Sequence, residues 1–434
     1  MSTPVWAKSE SVETSAEMMR FMAGEDVVLD RELIGFDLRA TLAHVRGLGR
    51  SGLMEPDDVR SIETALDALS ADLRDGRFVL DDRYEDGHSA IEAFLVERLG
   101  ETGKRVHLGR SRNDQVLVAT RLFTIEALSR LREIAVECGR AALELARRHE
   151  MDPMPGYTHL QRATPSSVGL WMASYAEGFC DSAELLGLTG AWMNTCPLGT
   201  AAGYGVNLAL DREGVSRELG FARLQVNPMH AQASRGVFDV QALSAAWQFA
   251  QVVRRLGWDL TLFASGEFGF VTLGGDASTG SSIMPNKRNP DAAELMRGSA
   301  SVIGGAVSEL QQLTSLPSGY HRDLQLSKGA LLRGMRAAIG SASIAPGVIR
   351  GLTLHTDRMR EAIEPSMFAT DRAVDLAAGG VPFRDAYRQV KGELESLGAG
   401  DPDESLARRV SRGACADLRL NELEARLDGA RERA

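Results

Sequence analysis

Cysteine is scarce. Only Cys138, Cys180, Cys196 and Cys415 occur in 434 residues, with no Cys-x-x-Cys pair and no clustering. That excludes a disulfide framework or a cysteine-based zinc site and fits a reducing, cytoplasmic compartment. Positive charge is also in deficit: 49 Lys plus Arg stand against 59 Asp plus Glu, a formal charge of -10, so no nucleic-acid partner is expected. No run of 18 apolar residues exists, and the opening MSTPVWAKSESVETS lacks the basic-then-apolar pattern of an export signal, so neither a membrane span nor a leader is expected. A Walker loop is missing, and no strand-then-glycine pattern supports a dinucleotide fold. What remains is a chain 44% hydrophobic and 25% charged, the composition of a folded globular protein, long enough at about 150 residues per domain for two or three units.

Proline is absent over long stretches. The 14 prolines leave residues 57 to 152, 166 to 196, 198 to 227, 229 to 284, 291 to 316 and 318 to 345 free of them, which is room for helices, since proline breaks helix interiors. In Gln115 to Glu150, apolar Val118, Leu122, Ile125, Leu128, Leu131, Ile134, Cys138, Ala142 and Leu145 recur at steps of three and four, an amphipathic helix. Similar stretches run over Ser166 to Asn194, Gly236 to Ser265, Asp291 to Leu316 and Leu326 to Gly351. Strand alternation is missing, so the fold class is mainly α, with five long helices forming a central bundle. Breaks at Gly47, Gly49, Gly52 and Asp81 to Asp86, then shorter segments after residue 351, divide the chain into an N-terminal helical domain (1–110), a long-helix domain (111–351) and a small C-terminal helical domain (352–434), whose tail from Asp417 reads as a charged helix.

Three polar segments lie beside the expected helix starts. They are HLGRSRND (His107 to Asp114), PGYTHLQRA (Pro155 to Ala163) and GGDASTGSSIMPNKRN (Gly274 to Asn289). Asn289, Pro290 and Asp291 read as N-cap, N1 and N2 of one helix, and Thr164 with Pro165 begins another. Helix N-termini carry unpaired N–H groups and a positive dipole end, so loops furnished with Arg110, Arg112 and Lys287 suit a carboxylate or phosphate. Any one of these loops alone is compatible with ordinary capping, and a lone His159 with a packed or solvated histidine. Asp86 and His88 in YEDGH form no metal triad, and no metal is expected.

The segment GSSIMPNKRNP (Gly280 to Pro290) resembles the signature loop of the fumarase and aspartase superfamily of lyases. Within it the chain is similar to the argininosuccinate lyases, through YEDGHSAIEA (84 to 93), HLGRSRNDQV (107 to 116), PGYTHLQRA (155 to 163), TCPLGTAAGYG (195 to 205), SGEFGFV (265 to 271), SGYHRDLQLSK (318 to 328) and VPFRDAY (381 to 387). Two departures stand out. Asn286, Lys287 and Arg288 occupy positions where the family usually has Gln-Lys-Lys. Gly24 and Asp26 occupy the candidate places of an N-terminal substrate-binding serine.

The resemblance implies cleavage of argininosuccinate to arginine and fumarate, without a cofactor, by a homotetramer whose sites draw on several chains and whose helices join into a larger bundle. It implies that Ser281 takes the proton, that His159, oriented by Glu294, serves the departing guanidino nitrogen, and that Lys287 and Asn289 stabilise the aci-carboxylate intermediate. Arg112, Asn113, Thr158, Tyr320, Gln325 and Lys328 would bind substrate, with Asp86 and His88 ordering the site. Geometry adds to this. A helix from Gln115 to Glu150 is roughly 54 Å long, and the nine residues to His159 return at most about 30 Å, so Asn113 and His159 of one chain cannot share a pocket. Adenylosuccinate lyase, a crystallin-like structural protein and a helical scaffold are the alternatives, and an assay of fumarate release separates them.

Overall fold

In the computed structural model, which describes residues 24–432 together with Met18, Phe21 and Met22, helices dominate. Three near the start of the described residues are α1 (Asp26–Arg50), α2 (Pro56–Arg74) and α3 (Gly87–Leu99). They close on an apolar cluster that includes Ile34, Leu38, Val45, Ile62, Leu69, Ile91 and Leu95. Five long helices follow: α4 (Arg112–Arg148), α5 (Val168–Met193), α6 (Val237–Phe263), α7 (Asp291–Leu313) and α8 (Ser327–Ser343). The periodic residues of α4 face inward as the spacing predicts: Val118, Leu122, Leu128, Leu131, Cys138, Ala142 and Leu145 are buried, and Ile125 and Ile134 half-buried. Arg147 and Arg148 occupy its last turn, where positive charge meets the negative end of the helix dipole.

The chain divides into two compact units. One takes the chain up to Ser129 with Leu188–Ser244 and Ile303–Arg336, and the other takes Arg130–Gly187, Ala245–Val302 and the chain from Ala337 onward. Within the first, α6, α7 and α8 meet at Gly334, where a Cβ would lie 2.7 Å from Leu243 and 3.1 Å from Ala306. Within the second, Phe179 of α5 packs edge-on against Phe249 of α6 at 6.1 Å. The C-terminal segments are short helices, Ala369–Ala378, Phe383–Gly392 and Pro402–Ala407, before the charged helix Leu420–Glu432. That last helix lies on α4: Arg140 meets Asp428 at 3.0 Å, and Arg147 meets Glu424 at 2.7 Å.

Some boundaries differ from the sequence reading. The stretch expected as one helix to Gly351 stops at Ser343 and restarts as Ala345–Arg350 with Pro346 in its first turn, because proline cannot donate to the preceding turn and clashes with it. Thr164 and Pro165 are not a helix start. They belong to a hairpin of β1 (Pro153–Thr158) and β2 (Gln161–Ser167) in which Pro155 faces Pro165, and the cap of α5 is Ser167, whose Oγ accepts from Leu170 N at 3.1 Å. At α7 the first intrahelical acceptor is the carbonyl of Pro290, bonded by Glu294 N at 3.1 Å, so the cap sits one residue beyond Asn289. The remaining strands are two-residue pairs.

Candidate active site

In the first unit, Asp26, Asp30 and Asp37 lie four and seven residues apart on α1, which places them on one helix face. Each meets a partner distant in sequence. Lys328 Nζ, at the start of α8, is 2.8 Å from both Asp26 Oδ1 and Asp30 Oδ1 and only 2% exposed. Burial opposes its charge, yet the two carboxylates hold its pKa above the ordinary lysine value. Asp30 Oδ2 also accepts from Gly87 N at 2.9 Å. Asp37 Oδ2 lies 2.6 Å from His88 Nδ1. Burial alone would lower the pKa of His88, but Asp37, with Asp86 and Asp30 behind it, raises it to about 9, so this imidazole is a cation at neutral pH.

Asp86 caps α3, accepting from Ser89 N at 2.7 Å and Ser89 Oγ at 2.6 Å. Its other oxygen meets Arg112 Nη1 at 3.2 Å, and the same nitrogen reaches Glu85 at 3.0 Å. Burial disfavours the Asp86 carboxylate, but His88, Arg112 and the Ser89 bonds leave its pKa below the usual range. Asn113, expected just ahead of α4, sits inside its first turn. Beside it Asp114 is fully buried and accepts three backbone N–H bonds, from Ser111 at 2.8 Å and from Gly199 and Ala201 at 3.0 Å. Desolvation pushes its pKa up to about 6 even so. Gln325 Nε2 and Arg322 Nη2 donate to Met22 O at 3.0 and 2.9 Å, and the Tyr320 ring lies 5.7 Å from the buried Arg235 guanidinium.

Seven expected residues therefore gather around α1, α3 and the starts of α4 and α8: Asp86, His88, Arg112, Asn113, Tyr320, Gln325 and Lys328. Asp30, Asp37, Asp114 and Arg235 join them without having been singled out. For Asp30 and Asp37 a signal was present, since with Asp26 they recur on one face of a single helix.

In the second unit, Thr158 ends β1, and His159 with Leu160 forms the two-residue turn to β2 with φ of 54° and 57°. Positive φ at both turn positions matches a tight hairpin of the type usually made by Asn-Gly. For His and Leu it is a sparsely populated conformation, so the hairpin presents His159 at its tip at some conformational cost. The loop from Gly274 is closed by a pairing of Thr279–Gly280 with Arg288–Asn289. At its edge, Ser281 Oγ accepts backbone N–H bonds from Ile283 at 3.3 Å and Met284 at 3.0 Å. Lys287 follows, exposed, with its own N–H bonded to Met284 O. Glu294, in the first turn of α7, pairs with Arg297 at 3.4 Å. Among the described residues it makes no hydrogen bond to His159. No group of three or more His, Cys, Asp or Glu is arranged to hold a metal among the described residues, and no described helix is long and apolar enough to cross a membrane.

Solved structures share the fold. The crystal structure of EDDS lyase in complex with formate superposes with a TM-score of 0.81 at 23% identity, covering 98% of this chain and 90% of that one. Class II fumarase from Schistosoma mansoni superposes at 0.70 with 16% identity, over 86% and 90% of the two chains. A family model described as lyase matches residues 10–305. Full-length similarity narrows this. Argininosuccinate lyase of Sorangium cellulosum (strain So ce56) is 53% identical over 428 residues, 99% of each chain. That of Stenotrophomonas maltophilia (strain R551-3) is 50% identical over 427 residues, 98% of this chain and 99% of its own. The chain belongs to the lyase family and, within it, to the argininosuccinate lyases.

Proposed function

We propose that the protein catalyses the reversible elimination of argininosuccinate to L-arginine and fumarate, a step of arginine biosynthesis. One observation carries the chemical reading: the hydroxyl of Ser281 receives two backbone N–H bonds inside the superfamily loop. A serine acts as a base only if its alkoxide is stabilised, and preorganised N–H donors do that. Ser281 takes the proton from the carbon beside a substrate carboxylate. Lys287 and Asn289 stabilise the dianionic intermediate, and His159 protonates the departing guanidino nitrogen or relays a proton to it. Glu294 orients His159 in the completed site.

Arg112, Asn113, Thr158, Tyr320 and Gln325 recognise the substrate. Lys328 is already engaged by Asp26 and Asp30, so its part is to order the polar wall it belongs to, as do Asp86 and His88. The site is shared among the subunits of a homotetramer. The 37 residues of α4 span about 55 Å, and the helix runs unbroken through Gly139. The chain from Arg148 to His159 reaches back at most about 40 Å. That geometry favours a site completed by other chains. The acidic balance and four buried thiols fit work in the cytoplasm.

The test is fumarate release, followed by ultraviolet absorbance, from purified protein given argininosuccinate or adenylosuccinate. Turnover of the first alone supports the reading. Turnover of adenylosuccinate alone would replace it, and no turnover of either would favour a structural role.

A further inference from the structure

The loop that carries Ser281 leaves a buried base. Val271–Thr272 pairs with Thr353–Leu354, and Leu273 beyond it is buried. The chain then runs out to the exposed stretch Ser282–Lys287 and returns through Arg288. At the neck, Arg288 Nε donates to Ser278 Oγ at 2.7 Å, and its Nη2 donates to Leu273 O at 2.9 Å. Ser278 Oγ in turn donates to Gly274 O at 3.2 Å. Thr279 Oγ1 bonds Asp291 beside this tie. The returning strand is thus fastened to the outgoing one through two acceptors that a planar guanidinium reaches together and that a single ammonium head does not match.

We propose that Arg288 is a positioning residue: it bolts the neck of the loop and so sets where Ser281 stands when the loop meets substrate. This rests on the reading of Ser281 as the base. The bond to Leu273 O ties the exposed loop to the buried strand pair, and the bond to Ser278 fixes the hairpin's register. Without them the loop keeps its sequence and its Lys287 but samples more orientations. The reaction then loses the alignment of its proton acceptor, and turnover suffers more than substrate affinity.

The experiment compares wild type with R288M, R288K, S278A and R288M/S278A by steady-state fumarate release and by hydrogen exchange of the amides in residues 281–287. R288M is expected to lower kcat about tenfold with KM within about twofold, and to speed exchange at Ile283 and Met284. S278A should lower kcat about threefold, and the double variant should be little worse than R288M, because both substitutions remove the Arg288–Ser278 bond. R288K, one donor head for two acceptors, should recover part of the loss. Full recovery in R288K would show that charge alone suffices and would overturn the proposal. So would wild-type kcat in R288M, or losses in R288M and S278A that multiply independently. If the wild-type protein releases no fumarate, the functional reading falls by itself, and the exchange rates still decide whether Arg288 bolts the loop.

Discussion

An isolated serine hydroxyl is a poor base near neutrality, so the two N–H bonds to Ser281 bear directly on its assigned task. Ser281→Ala removes the base and leaves the binding groups in place. Turnover should fall well below a tenth of wild type, a loss beyond about 1.4 kcal/mol, while argininosuccinate still binds by calorimetry. A variant that keeps more than that has its base elsewhere. His88 gives a second prediction, about stability. Its pKa is about 9 in the folded protein against about 6.5 unfolded. The folded state therefore holds the extra proton, and the stabilisation is complete below about pH 6.5 and lost as pH rises through 9. Wild-type protein should lose up to about 3 kcal/mol across that window, measured by urea unfolding, and His88→Gln should be less stable at pH 6.5 but nearly flat above it. Parallel curves for the two would show that the Asp37–His88 pair is not the source. At this scale the sequence showed which residues are chemical, because they stand in polar clusters, but not what they touch. Lys328, expected among the substrate-binding residues, pairs in the structure with Asp26 and Asp30, some 300 positions earlier, and no local pattern encodes such a partnership.

Elements were most legible where proline is absent and apolar residues recur at helical spacing, since both constraints act within one or two turns. The hairpin Pro153–Ser167 was not legible for the opposite reason. Its strands are short, rich in proline and polar residues, and held by a turn whose His159–Leu160 pair gives no glycine or asparagine signal. The same limit shifted the expected start of α5 from Thr164 to Val168. Glycine inside α4 poses a related puzzle, because Gly139 costs about 1 kcal/mol of helix propensity relative to alanine. Its reason is Leu427 of the C-terminal helix, whose Cδ2 would lie 2.7 Å from a Cβ at that position. Gly139→Val should therefore force the C-terminal helix outward and destabilise the protein by about 1–3 kcal/mol, read as a lower thermal midpoint and faster proteolysis after Asp417. Adding Leu427→Ala should recover part of the loss by making room. If Gly139→Val alone raises the midpoint, the close approach of the two helices is not what keeps glycine there.

At the scale of the whole molecule, each compact unit is assembled from three separated stretches, which a division into consecutive segments cannot register. The expected site residues fall into two sets accordingly, one around α1, α3 and the start of α4, the other on the hairpin tip and the Ser281 loop. Asn113 stands in the first turn of α4, and His159 follows its far end by eleven residues. The length of that one helix, about 55 Å, exceeds what those residues span. If both serve one substrate molecule, the geometry favours their coming from different chains, and symmetric association supplies the meeting. Complementation tests this without any structure of the assembly. Asn113→Ala and His159→Ala proteins, each expected to lose most of the activity, are unfolded, mixed and refolded together. Random reassembly gives some sites an intact Asn113 from one chain and an intact His159 from another, so part of the wild-type fumarate release should return in hybrids shown by native mass spectrometry to contain both variants. Neither variant refolded alone should recover. Hybrids of verified composition that stay as inactive as their parents would mean that both residues act from the same chain, and a monomeric active species would mean the same.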